Sequence, residues 1–244
     1  VNVVDVTDLY TQYSYGVFDT DAIRQYIKYA AENLGTRYVL LVGGDTYDYR
    51  NYTKLNSISF IPSLYAATGS VIKFAPVDPL FTDFNGDLIP DLPIGRLPVR
   101  TTAELSLVIQ KTLQYDAKDY GQTAAFASDK FDRGYSFKQI SDSMASTLSS
   151  DWSVENIHLE NLDLATARGQ LLAAMNRGTA LVNYTGHSGA ASWTFSGLFN
   201  QADVASLTNA GKPFVVVEWG CWNYYFVQPT NSCLVQNFLF AGDK

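Results

Sequence analysis

The chain has 244 residues, of which 47% are hydrophobic and 17% charged, so it is globular rather than disordered and long enough for one large domain or two lobes. A net charge of −7, with no basic patch to neutralise phosphates, excludes nucleic acid as an expected partner. No apolar run reaches the roughly 18 residues of a transmembrane segment.

The opening "VNVVDV" has no Met, no basic leader and no signal pattern, and the sequence stops abruptly at "AGDK". Both ends read as cuts in a longer polypeptide with flanking domains. The Tyr-rich, charge-poor composition leans towards a secreted or cell-surface protein. The two cysteines, Cys221 and Cys233, form no disulfide framework.

"TDAIRQYIKYAAENLG" predicts an amphipathic helix with Ile23, Tyr26, Ile27, Ala30, Ala31 and Leu34 on one face and Gly35 as its C-cap. "RYVLLVGG" follows as a continuous apolar run, the pattern of a strand covered on both faces. Thr101–Glu104 reads as a capping box that opens a helix with Leu105, Val108 and Ile109 inward. "TAAFAS", "TALVNYTG" and "PFVVVEWG" predict further strands. Helical patterns cover Ser136–Leu148, Leu164–Met175, Gln201–Asn209 and Cys233–Phe240. Strand and helix alternate, so the fold class is α/β with largely parallel sheets flanked by helices. A soft division near Ala117–Gln122 suggests two lobes, roughly 1–118 and 119–244.

His187 stands just past "TALVNYTG" and Cys221 just past "PFVVVEWG". Sites in open α/β sheets form beyond the carboxyl ends of strands, so parallel neighbours would bring these two side chains to one crevice. Gly186-His187-Ser188-Gly189-Ala190 nearly spells the G-x-S-x-G nucleophile elbow. That motif needs a histidine after the serine, and the only histidines, His158 and His187, both precede Ser188. Cys221 with His187 needs just two residues: an imidazole lowers the thiol pKa and shuttles its proton. The plain alternative is a buried Cys221 and a satisfied turn His187. Cys233 reads as a packing residue at a helix start, and His158 as a strand-edge residue without a partner.

Two His and two Cys without a C-x-x-C or H-x-x-x-H pair do not make a zinc site. "LVGGDTYD" is no phosphate loop. "DFNGDLIPD" is different: Asp83, Asn85, Asp87 and Asp91 set oxygens around Gly86 as a calcium loop does, although Ile94 stands where an EF-hand needs Glu. A structural calcium and a plain Asx-rich turn both remain open for it.

"ALVNYTGHSGAASW" followed by "KPFVVVEWGCWNYYFVQPTNSCLVQNFL" resembles the gingipain-like cysteine peptidases, family C25 of the caspase-fold clan. The 34-residue spacing from His187 to Cys221 suits that family, as do "YVLLVGGDTYDYRNY", "DLPIGRLPVRTTAEL" and "DLYTQYSYGVFDTDAIRQYIKYA". The resemblance runs from about Asp5 to Phe240. It implies a single caspase-fold catalytic domain of two lobes, the second carrying the site, in a bacterial secreted or surface protein. It also implies a polypeptide substrate and chemistry that needs no cofactor. Its nucleophile maps to Cys221, its acid–base to His187 and its supporting acid to Asp91. Oxyanion donors map to the backbone N–H groups of Ser188 or Gly189, and of Cys221. The family reads G-H-G-S where this chain has Gly186-His187-Ser188-Gly189. A φ above zero after the histidine would strain Ser188. Two other readings compete: a sortase-like transpeptidase of type IX secretion, and a non-catalytic, calcium-stabilised surface module.

Overall fold

A computed structural model describes residues 1–69 and 72–244. The chain forms two compact units: Val1–Thr102 with Tyr225–Asn231, and Ala103–Tyr224 with Ser232–Lys244.

In the first unit, α1 (Val6–Ser14) and α2 (Thr20–Leu34) each start at an aspartate that caps a backbone N–H, Asp5 and Asp19. Gly35 ends α2 in the left-handed conformation, φ 67°, as its C-cap position requires. β1 (Val39–Val42) pairs in parallel with β4 (Ile94–Leu97), while β2 (Tyr65–Ala67) and β3 (Phe74–Pro76) form a hairpin. A 3-10 turn, Asp78–Phe81, precedes β4. Leu9, Tyr10, Ile23, Ile27, Leu41 and Phe81 make the core. β1 is not covered on both faces as its apolar run suggested. Leu41 faces the helices, while Leu40 is 59% exposed, because strand side chains alternate and only one face of this pair is covered.

The second unit opens with α3 (Thr102–Asp116). Val108 is buried, but Ile109, expected inward, is half exposed. There follow β5 (Thr123–Ser128), α4 (Phe137–Ala145), β6 (Ser153–His158), α5 (Leu164–Arg177) and β7 (Leu181–Thr185). Short strands β8 (Ser188–Gly189), β9 (Ser192–Trp193) and β10 (Phe199–Asn200) form a small antiparallel sheet before α6 (Gln201–Ser206). β11 (Val215–Trp219) and α7 (Leu234–Phe240) complete the unit. The main sheet runs β11-β7-β5-β6, all parallel. Its two central strands are nearly all buried, which explains their unbroken apolar runs.

One face of this sheet carries Ala125, Ala127, Ile157, Val182 and Tyr184 into a core with Leu171 and Met175 of α5. The opposite parity carries Ser128, His158 and Thr185 towards α4, where Met144 meets the Thr185 hydroxyl. The unit boundary lies earlier than residue 118 because α3 packs with the later elements: Lys111 Nζ donates to the carbonyls of Phe238 and Leu239 at 2.6 and 3.2 Å. Residues 225–231 return to the first unit, where the Tyr47 amide bonds the Val227 carbonyl.

Candidate active site

The site grows out of the pairing of β7 with β11. Their last paired residues are Thr185 and Trp219, and the Gly186 amide extends the ladder to the Trp219 carbonyl at 3.2 Å. His187 and Cys221 each stand two residues beyond that last pair, on neighbouring strands about 4.8 Å apart. Both lie in the second unit. Cys221 is exposed and free, and the His187 side chain is 40% exposed, so both are open to solvent.

The His187 ring is held on three sides. Nε2 lies 3.0 Å from Asp132 Oδ2. The Phe137 ring meets it edge-on at 5.2 Å, and Phe195 stacks on it at 5.5 Å. With its proton on Nε2, facing Asp132, the neutral imidazole keeps Nδ1 for a substrate or thiol proton. The backbone is fixed as well. The His187 amide donates to buried Asp129 at 3.2 Å, and burial raises the Asp129 pKa. The His187 carbonyl accepts from the Tyr184 hydroxyl and from the Thr194 amide. Tyr184 in turn stacks on Trp193, centroids 4.6 Å apart, and burial pushes its phenol far up.

Two glycines permit this packing. A Cβ on Gly186, φ 158°, would strike Asp129 Cβ and come within 2.6 Å of the Tyr184 hydroxyl. A Cβ on Gly220 would strike the Ser188 hydroxyl. Ser188 donates that hydroxyl to the Cys221 carbonyl, tying the two functional segments together. Ser188 is not among the residues with positive φ, so its place after the histidine carries no strain of that kind. The strained position follows the cysteine instead, at Trp222, φ 69°.

Glu218, on β11, accepts from Trp193 Nε1 at 2.6 Å, and burial pushes its carboxyl up to about 7. Cys233 is buried and free, its thiol pushed up to about 11 by burial. An exposed Cys221 and an inert Cys233 are thus clearly separated.

The sequence matches the profile of peptidase family C25 over residues 1–244. The chain belongs to peptidase family C25. Among solved structures it is similar to the complex of the Porphyromonas gingivalis RgpB pro- and mature domains, with TM-score 0.69 and 24% identity, covering 95% of this chain and 52% of that one. It is also similar to a structure of a protease, with TM-score 0.67 and 18% identity, covering 93% and 48%. These two likenesses carry the fold, an α/β caspase-like architecture, and this C25 chain spans about half the length of each. No curated protein sequence matches it.

The candidate calcium and supporting-acid residues lie in the first unit. Asp91 Oδ2 accepts from the Phe84 amide at 2.8 Å. Asp83 accepts from the amides of Gly86 and Leu88, Asn85 from that of Asp87, and Asp87 from that of Ile89. The loop's own N–H groups therefore bond these oxygens, as in an Asx-rich turn. Among the described residues, no group of three or more His, Cys, Asp or Glu is gathered to hold a metal. In this arrangement the four side chains are not gathered around one point.

Sequence reasoning missed Asp132 entirely. The available signal was the run "DKFD", directly after "TAAFAS", at the carboxyl end of a strand beside β7.

Proposed function

We propose that this C25 chain is the catalytic part of a cysteine endopeptidase that cleaves polypeptides through a Cys221 thioester. The observation that supports it best is the register of β7 and β11, which sets an exposed thiol and a held imidazole two residues past one strand pair. The Cys221 thiolate attacks the scissile carbonyl carbon, and His187 donates a proton to the departing amine. Water then attacks the thioester, His187 takes its proton, and the Cys221 sulfur leaves. Backbone N–H groups of Ser188 or Gly189, and of Cys221, are the candidates to receive the oxyanion. Asp132 is the carboxylate proposed to orient the imidazole. Asp91, which the family resemblance assigns that role, is the competing candidate.

The substrate is a polypeptide, and the fuller protein has segments flanking this chain, given that the structures it resembles are about twice its length. Secretion or surface display by a bacterium is proposed from the composition and from the Porphyromonas gingivalis relative.

Site-resolved alkylation tests the reading. Iodoacetamide near pH 6 should label Cys221 quickly and leave Cys233 untouched, and His187→Ala should remove that fast rate. Peptide cleavage by the unmodified protein should be lost in Cys221→Ala. A Cys221 no faster than an ordinary thiol would overturn the assignment and favour a non-catalytic module. Cleavage products carrying an added amine would point to transpeptidation.

A further inference from the structure

The second histidine has no part in the chemistry above, yet it occupies a built site. His158 ends edge strand β6 and is 3% exposed. Its Nδ1 lies 2.8 Å from Ser128 Oγ, and its Nε2 lies 3.0 Å from Asp142 Oδ1 on α4. The order hydroxyl–imidazole–carboxylate is that of a serine hydrolase relay. Ser128 is fully buried, however, and no substrate can reach it. Asp142 can only accept, so Nε2 carries the proton and Nδ1 accepts from Ser128. The groups around the ring agree with a neutral imidazole. Burial lowers its pKa, Asp142 and Glu160 oppose that, and Lys138 reinforces it. Asp142 itself is held low, first by Lys138.

The position of this chain of bonds suggests its use. Ser128 is the last residue of β5, and Asp129, which holds the His187 amide, is next. The loop from Asp129 runs through Asp132 into Phe137, the first residue of α4, so every contact from this segment to His187 lies between two anchors. The far anchor is His158 gripping Asp142. A lesser one is Glu160, which receives the Ser136 hydroxyl and the Lys138 amide at 2.8 and 3.1 Å. We infer that His158 is a positioning residue: through Ser128 and Asp142 it clamps α4 to the ends of β5 and β6, and so sets where Asp132 and Phe137 hold the His187 ring. This inference rests on the assignment of His187 as acid–base.

The test uses His158→Leu, His158→Gln and Asp142→Ala. Glutamine keeps a donor for Asp142, while leucine removes both bonds. Asp142→Ala breaks the clamp from a side chain that is 37% exposed, so it keeps the test alive if the core variant does not fold. Two readouts are taken on folded protein: the iodoacetamide rate at Cys221, and the His187 ring resonance by NMR, which is assignable because there are only two histidines. His158→Leu and Asp142→Ala are expected to slow alkylation about fivefold or more and to move the His187 resonance. His158→Gln should stay within about twofold of the unmodified protein. Unchanged rates and an unmoved resonance in the first two variants would overturn the clamp, whatever happens to their melting temperatures. If Cys221 of the unmodified protein is unreactive, the acid–base assignment fails instead. The resonance alone then decides whether His158 positions the ring.

Discussion

Nε2 of His187 lies 3.0 Å from Oδ2 of Asp132, a carboxylate 55 residues earlier, on the loop after a different strand of the same sheet. In the proposed mechanism a carboxylate so placed fixes the tautomer and stabilises the imidazolium. Both partners are partly solvated, so the effect should be smaller than at a fully buried relay. Asp132→Ala is expected to lower kcat about tenfold or more with KM nearly unchanged. Steady-state kinetics on a cleaved peptide, with Asp91→Asn measured beside it, decides between the two carboxylates. A larger kcat loss in Asp91→Asn would return the orienting role to Asp91.

Ser188 and Gly220 form the tie between the two segments. Gly220→Ala places a Cβ against the Ser188 hydroxyl and 3.2 Å from the Gly186 carbonyl. Overpacking of this kind typically costs about 1–3 kcal/mol. Ser188→Gly removes the hydroxyl that is struck, so the double variant should recover part of the stability lost by Gly220→Ala. Urea unfolding of the four proteins in the cycle measures the coupling. Strict additivity would mean that the backbone contact, not the hydroxyl, sets the cost.

Much of this site was legible because strand ends announce themselves. "TALVNYTG" is a buried central strand and "PFVVVEWG" a half-exposed edge strand, and the residues just past them are the partly exposed His187 and the exposed Cys221. What periodicity could not give was partnership. His158 read as a lone strand-edge residue because Ser128 and Asp142 lie 30 and 16 residues away and converge only through sheet pairing and the seat of α4. Asp132 was hidden for the same reason. Leu40 looked buried because an apolar run says nothing about whether a second layer covers its outer face. Thr101–Glu104 correctly marked a helix start but could not reveal that Ile109 faces solvent.

Glu218 makes stability depend on pH in an unusual direction. Among the described residues its Oε2 is buried without a hydrogen-bond partner, and burial pushes the folded carboxyl up to about 7 from its ordinary 4.5. Between those values the folded state keeps a proton that the unfolded chain has released. Stability therefore falls as pH rises from about 4.5 to about 7, by roughly 3 kcal/mol, and this loss persists above pH 7. Glu218→Gln keeps an acceptor for Trp193 Nε1 and has no charge to bury. It should flatten that part of the profile and be the more stable protein at pH 8. Urea midpoints at pH 5 and pH 8 give the comparison, and equal slopes in both proteins would remove Glu218 as the cause.

The "IGR" segment carries the strongest stability prediction in the first unit. Arg96 has a fully buried side chain that meets Asp78 through two bonds, Nε to Oδ2 at 2.8 Å and Nη2 to Oδ1 at 2.7 Å. The same guanidinium donates to the carbonyls of Gly43, Ile61 and Pro62, and its carbon lies 5.2 Å from the centre of the Phe226 ring. Removing one partner of a buried pair leaves the other charge desolvated and typically costs about 3–5 kcal/mol. Arg96→Met leaves Asp78 and three carbonyls without these donors, while Asp78→Leu leaves the guanidinium with its carbonyl partners. Arg96→Met should therefore be the costlier single change. The double variant should be less destabilised than the sum of the two singles, because neither charge is then stranded. Equilibrium urea unfolding of the set measures both differences, and a double variant as unstable as the sum would show that the carbonyl bonds, not the ion pair, hold this segment.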